Sequence, residues 1–181
     1  MKRLVGSLWM LMLTAATLAA AAPAMAGSQE KGSAAPVRLG IYDSRIVALA
    51  YGRSTEFEAH IKDMINRLEK AKAEGDEETV AKLKAEGPAL QDQMHHQVFG
   101  NAPIPGIIER IEDRLPDIAR EAGVDMIVCK WDVAFQNDAA QPVDVTMAMV
   151  ALFNPTPETL KHAEQLKTTP PVPADAIRTE D

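Results

Sequence analysis

The chain has 181 residues, 19 of them basic and 26 acidic, and a formal charge of −7. That length suits one domain behind a leader, and that acidity opposes binding to nucleic-acid phosphates or anionic lipid through neutralising cations. The single cysteine, Cys129, excludes an internal disulfide.

Residues 1–26 read as a secretory signal peptide. Lys2 and Arg3 form the charged start, Leu4 to Ala22 is apolar apart from Ser7 and Thr14, and Ala24-Met25-Ala26 fits the small-x-small cleavage rule. The competing reading is a retained anchor, because the apolar run is nearly long enough to span a bilayer. The cleavage motif and the polar stretch Gly27 to Ala35 favour removal after Ala26, so no stable membrane insertion is expected of the mature chain. That chain has 155 residues, with 17 basic and 26 acidic side chains and a charge of −9. Residues 27–36 read as a flexible linker and 37–167 as one domain.

Val37 to Asp43 has strand alternation, with Val37, Leu39 and Ile41 on one face. Asp43 stands where a helix-capping carboxylate is wanted, and Ser44 to Tyr51 is apolar enough to begin a helix. The stretch from Thr55 to Val98 is the most informative. Phe57, Ile61, Met64, Ile65, Leu68 and Ala71 recur at helical spacing. Gly75-Asp76 interrupts the pattern, and Val80, Leu83, Leu90, Met94 and Val98 resume it. Thr55 and Glu58 have the spacing of a capping box. Two apolar stripes joined by a short turn predict an αα-hairpin, with charges on its solvated face. Pro88 is expected to break or kink the returning helix, or to open a new helical segment.

Phe99 to Pro105 reads as a turn, and Ile107 to Ala122 as one helix kinked at Pro116 and closed by Gly123. Val124 to Lys130 is expected as a second strand and Trp131 to Phe135 as a third. A shorter piece at Val143–Val145 leads into Thr146, which can cap a helix through Phe153; Asn154 ends it. Thr156-Pro157-Glu158 restarts a helix. From Thr168 to residue 181 the chain is proline-rich and reads as an extended or disordered tail. The predicted fold class is α+β: a small β-sheet body with a protruding helical hairpin inserted between the first and second strands.

Three stretches resemble the Skp/OmpH family of periplasmic chaperones. They are the opening strand Val37-Arg38-Leu39-Gly40-Ile41-Tyr42-Asp43, the passage Ile118-Ala119-Arg120-Glu121-Ala122-Gly123-Val124-Asp125-Met126-Ile127-Val128, and Val143-Asp144-Val145-Thr146 with the apolar helix after it. Together with the hairpin they cover about residues 37–154. The resemblance implies a homotrimer whose subunits join through β-rich parts, with the hairpins hanging as tentacles around a cavity. It also implies a periplasmic location and the holding of unfolded outer-membrane or secreted proteins without ATP. Ile41, Ile127, Val128 and Val133 are then expected inside the body. This chain differs in having short arms, ~20 residues at about 1.5 Å each, and in being acidic where the family's tentacles are basic.

Candidate client-binding residues are Phe57, Ile61, Met64, Ile65, Leu68, Val80, Leu83, Leu90 and Met94. The same stripe also packs two helices together, so a holdase needs apolar surface left over after that packing. Met64 and Met94 supply adaptable side chains. An alternative is a non-chaperone structural or interaction protein, with a metal held by His60, Asp92, His95 and His96. Asp92 and His96 are four apart on one helical face, and a hairpin brings His60 roughly level with them. A polar face that happens to carry histidines explains the same residues. Ser44, Cys129 and the four histidines form no nucleophile-and-base pattern, and no glycine-rich phosphate loop is present. No enzymatic activity or cofactor is therefore expected. Cys129 sits in an apolar run and reads as a buried, inert thiol; Trp131 and Tyr42 read as aromatics that pack the body.

Overall fold

The computed structural model describes residues 36–177. The proposed signal peptide, nearly all of the linker and residues 178–181 lie outside the described residues. The fold is mixed α and β, mostly helical, around a small parallel sheet.

Strand β1 (Leu39–Tyr42) lies in the middle, with β2 (Met126–Cys129) on one side and β3 (Val143–Asp144) on the other. Both pairings are parallel. Leu39 stands opposite Met126 and Tyr42 opposite Cys129, while Gly40 stands opposite Val143. Gly40 is required here by close approach: a Cβ on it would lie 3.1 Å from Val124 Cγ2 and 3.3 Å from the Met126 carbonyl oxygen. Parallel neighbours need long crossovers, and the β1-to-β2 connection carries five helices.

Helix α1 (Ser44–Gly52) follows β1 directly, capped by the Asp43 carboxylate, which accepts from Arg45 N–H. Ser44 through Tyr51 are all buried, so α1 is wrapped on every side. Ile46, Val47, Met149 and Val150 form the centre of the core, with Ile104, Ile107, Ile111 and Ile118 around them. Fully burying each such side chain is worth ~1.5–3 kcal/mol. The core therefore sits on α1. Ile41, Ile127, Val128 and Val133, expected inside the body, are only half-buried. A three-stranded sheet this short leaves part of its surface uncovered within one chain.

Helices α2 (Thr55–Glu74) and α3 (Glu77–Val98) come next and pack on each other. The start of α2 is one residue earlier in register than the capping-box reading. Ser54, in extended conformation, is the cap; its Oγ accepts from Phe57 N–H and donates to the Tyr51 carbonyl. Gly75 closes α2 in the left-handed conformation at φ 72°, with Asp76 N–H returned to the Ala71 carbonyl. Asp76 then caps α3 by accepting from Thr79 N–H. The break expected at Pro88 is absent: α3 is one continuous helix with Pro88 inside it. Pro88 is exposed, so the carbonyl that it deprives of a partner can bond to water, while Leu83 holds the helix on its packed face.

The single helix expected over 107–122 is divided. Helix α4 (Pro105–Glu109), a 3-10 turn (Glu112–Arg114) and α5 (Leu115–Ala122) replace it. Pro116 falls in the first turn of α5, where its missing N–H costs little, so the chain breaks before it rather than kinking at it. Gly123 caps α5 at φ 63°, as its position predicted.

Trp131–Phe135 is not a strand. Lys130–Asp132 makes a 3-10 turn, because Lys130 and Trp131 both reach inward to Asp43, and residues 133–142 are irregular. Helix α6 (Thr146–Ala151) contains Thr146 rather than being capped by it. The Thr146 hydroxyl accepts instead from Asp43 N–H, and Asp144 accepts from Thr146 N–H. Asn154 turns the chain at φ 49°. Helix α7 (Pro157–Thr168) is capped by Thr156 as predicted. The stretch after Thr168 is extended but held through residue 177: Val172 N–H donates to the Phe99 carbonyl, and the Thr169 carbonyl accepts from Arg45.

Candidate functional site

Where the first turns of α2 face the last turns of α3, the two helices leave an open cleft of about 670 Å³. Phe57, Ile61 and Met64 line it from α2, and Leu90, Met94 and Val98 from α3, over Leu49 of α1. Each set repeats at three or four residues, so one face of each helix turns to the cleft. Gly52, the last residue of α1, lies against Met94 of α3. A Cβ there would come within 2.8 Å of Met94 Cε, and the absent side chain gives Met94 its place. Arg53, Gln91 and His95 supply the polar lining, and Phe99, about half exposed, stands at one edge.

A second groove, about 640 Å³, runs along the other side of α2 and shares Phe57 and Ile61 with the first. Ile65 lies in it and is 52% exposed. The first half of α2 thus presents apolar side chains on both flanks, interleaved on the second with Arg53, Ser54, Glu58 and Lys62.

The predicted client-binding residues divide into two groups. Phe57, Ile61, Met64, Leu90 and Met94 line the cleft, although Met64 is largely buried and Phe57 is held edge-on by Tyr51 at 5.3 Å between ring centres. Leu83 is 3% exposed and serves to hold α2 and α3 together; Leu68 is half-buried. Val80 lies away from the cleft, beside Ala71 and Gly75 in a smaller hollow that also carries Lys72 and Lys84. The apolar residues missed are Leu49, Val98 and Phe99, although Val98 belongs to the predicted stripe of α3. Leu49 looks like any other residue of a buried helix, and Phe99 sits in a stretch whose glycine and prolines read only as a turn.

The alternative metal ligands are not brought together. His96 Nε2 lies 3.6 Å from Asp92 Oδ1, but the His95 ring packs against Phe99 and the His60 ring against Phe57. Among the described residues no three His, Cys, Asp or Glu side chains gather as a metal site.

The body holds a buried ionic node at the start of α1. Asp43 is 2% and Arg45 1% exposed. The Asp43 carboxylate accepts from Arg45 Nε and Nη2 at 3.2 and 3.0 Å and from Trp131 Nε1 at 3.1 Å, and it pairs with Lys130 Nζ at 2.6 Å. Arg45 also donates to the carbonyls of Leu166 and Thr169, and its guanidinium lies over the Trp131 ring. Burial pushes the Asp43 carboxyl up, but the hydrogen bonds from Arg45, Lys130 and Trp131 and the Arg45 charge outweigh it and hold the group below 3.8. Trp131 is thus a packing aromatic with a hydrogen-bond role. The sequence signal for the node is one arginine, Arg45, two residues after Asp43 at the head of an apolar run.

Among the described residues no helix is long and apolar enough to cross a membrane. Comparison with family models, with curated proteins and with solved structures gives no match for this chain.

Proposed function

We propose that this chain is a periplasmic, ATP-independent holdase of the Skp/OmpH kind, secreted by a signal peptide cleaved after Ala26. In this reading α2 and α3 are a short arm that projects from the body and is inserted between β1 and β2. The apolar cleft at the arm's root takes nonpolar segments of unfolded outer-membrane or secreted proteins. The observation that carries the reading is the cleft itself: after α2 and α3 have packed through Leu83 and Met64, apolar surface remains open on both flanks of α2. Exposed apolar area of this kind, rimmed by polar groups, suits a binding surface. Residue exposure supports the projecting arm, since most of the residues from Ile65 to Pro88 face solvent.

Assembly as a homotrimer follows from the same resemblance and has a physical motive. Strands β2 and β3 are both sheet edges, and Met126 is about half exposed. Unpaired edges and half-covered apolar residues invite association between identical subunits.

The test is suppression of aggregation when a denatured outer-membrane protein is diluted from urea. Protection at a few trimer equivalents is expected, lost in the Ile61→Asp/Ile65→Asp variant. Aggregation unchanged by excess protein rejects the reading. Light scattering at micromolar concentration is expected to give three times the chain mass, and a monomer mass contradicts the assembly.

A further inference from the structure

The cleft between α2 and α3 has a charge pattern that its apolar walls do not explain. Helix α2 carries five acidic residues and α3 four, yet no Asp or Glu lines the cleft. Its polar lining is Arg53, Gln91 and His95, and of these Arg53 alone is permanently charged. A cationic mouth is unexpected in a chain with a formal charge of −7.

Arg53 stands at the bend between α1 and α2 and lines both the cleft and the groove on the other flank of α2. Its Nη1 donates to His162 Nδ1 of α7 at 2.6 Å, which orients the guanidinium. An imidazole nitrogen that accepts a hydrogen bond carries no negative charge to offset it. Arg45, Arg67, Arg110 and Arg120 each pair with a carboxylate, whereas among the described residues none pairs with Arg53. Glu58 and Lys62 line the second groove and not the cleft.

The guanidinium therefore keeps donors for an anion beside an apolar wall. A fork of N–H donors matches a carboxylate, and one guanidinium balances a monoanion. The volume, about 670 Å³, lies in the range of sites for small, mainly apolar ligands. We propose that the cleft binds a long-chain fatty acid anion, with its carboxylate on Arg53 and its alkyl chain along Phe57, Ile61, Leu90 and Met94. The proposal shares the cleft with the holdase reading but goes beyond it: a free amphiphile needs neither a client nor a trimer.

The test is titration of the purified mature chain with dodecanoate below its micelle concentration, followed by amide chemical shifts. Saturable shifts are expected at Gly52, Arg53, Phe57, Ile61 and Met94. Octanoate should bind about tenfold more weakly or worse, because four fewer methylenes are buried. Dodecylammonium should bind more weakly than dodecanoate, despite the negative charge of the protein. Arg53 is exposed, so Arg53→Gln leaves the fold intact; it should weaken dodecanoate about fivefold and leave dodecylammonium unweakened. Dodecylammonium or dodecyl phosphate binding more tightly than dodecanoate, an undiminished preference for dodecanoate in Arg53→Gln, or no saturable shift would overturn the proposal. Dodecanoate binding without client protection rejects the holdase reading alone; client protection without dodecanoate binding rejects this one alone.

Discussion

Helix α1 and the pair α2–α3 are held by different kinds of contact. All but the last residue of α1 is buried, and its contacts come from distant parts of the chain: Thr146, Trp131, Leu166 and Thr169 all meet the Asp43–Arg45 node. In α2 and α3, only Met64, Ala71, Leu83 and Gln97 are buried, and the ends are fixed by their own neighbours, Ser54, Gly75 and Asp76. One region depends on long-range order; the other has local caps, the seam between α2 and α3, and the packing of α3 on α1. The cleft lies where they meet, with a floor from the rigid region and walls from the looser one.

Removing the centre of the rigid region should have the largest effect. Arg45→Ala leaves the Asp43 carboxylate buried without its main partner, and a broken buried pair costs roughly 3–5 kcal/mol. Urea denaturation followed by circular dichroism should show that loss; a change below 1 kcal/mol would place α1 in the same class as the arm. The node also sets an acid limit. Because the Asp43 carboxyl is lowered from 3.8, its contribution is present above that value and fades as pH falls through the folded value beneath it. Asp43→Asn should therefore flatten the loss of stability below that pH, measured as denaturation midpoints against pH.

Leu83→Ala tests the seam. Deleting a buried leucine costs about 2–5 kcal/mol, and a two-helix pair that can close the gap belongs near ~2. Loss of helix signal without loss of the Trp131 environment would sharpen the contrast, since arm and body would then melt separately. Ser54→Ala removes the α2 cap and should cost about 1 kcal/mol. Ile65→Ser should alter stability by no more than ~0.5 kcal/mol, as exposed positions do, yet reduce protection of a denatured client. If protection is untouched, the outer flank of α2 takes no part in binding.

The same division decides what was legible in the sequence. Local signals carried through: the turn at Gly75-Asp76, the caps at Gly123 and Thr156, the first two strands and the stripe of Phe57, Ile61 and Met64. Each is set by residues within a turn or two of one another. The misreadings concern residues whose partners are far away in the chain. Lys130 and Trp131 have strand-like neighbours, but the distant Asp43 carboxylate draws them into a turn. Thr146 has the composition of a cap, but Asp43 N–H takes its hydroxyl. Pro88 looked like a breaker because its exposure was not visible, and exposure lets water take the carbonyl that it leaves without a partner. The cleft was legible as two apolar stripes; that Gly52 and Leu49 line the opening between them is marked by no periodicity.

Hydrogen exchange with and without an unfolded outer-membrane protein tests the central claim most directly. Alone, amides of residues 66–90 should exchange far faster than those of α1. With client, exchange should slow at residues 57–65 and 90–98, flanking the cleft, and stay unchanged at β2. Slowing confined to the body, or none anywhere with client bound, would contradict the proposal that the root of the α2–α3 pair is where clients are held.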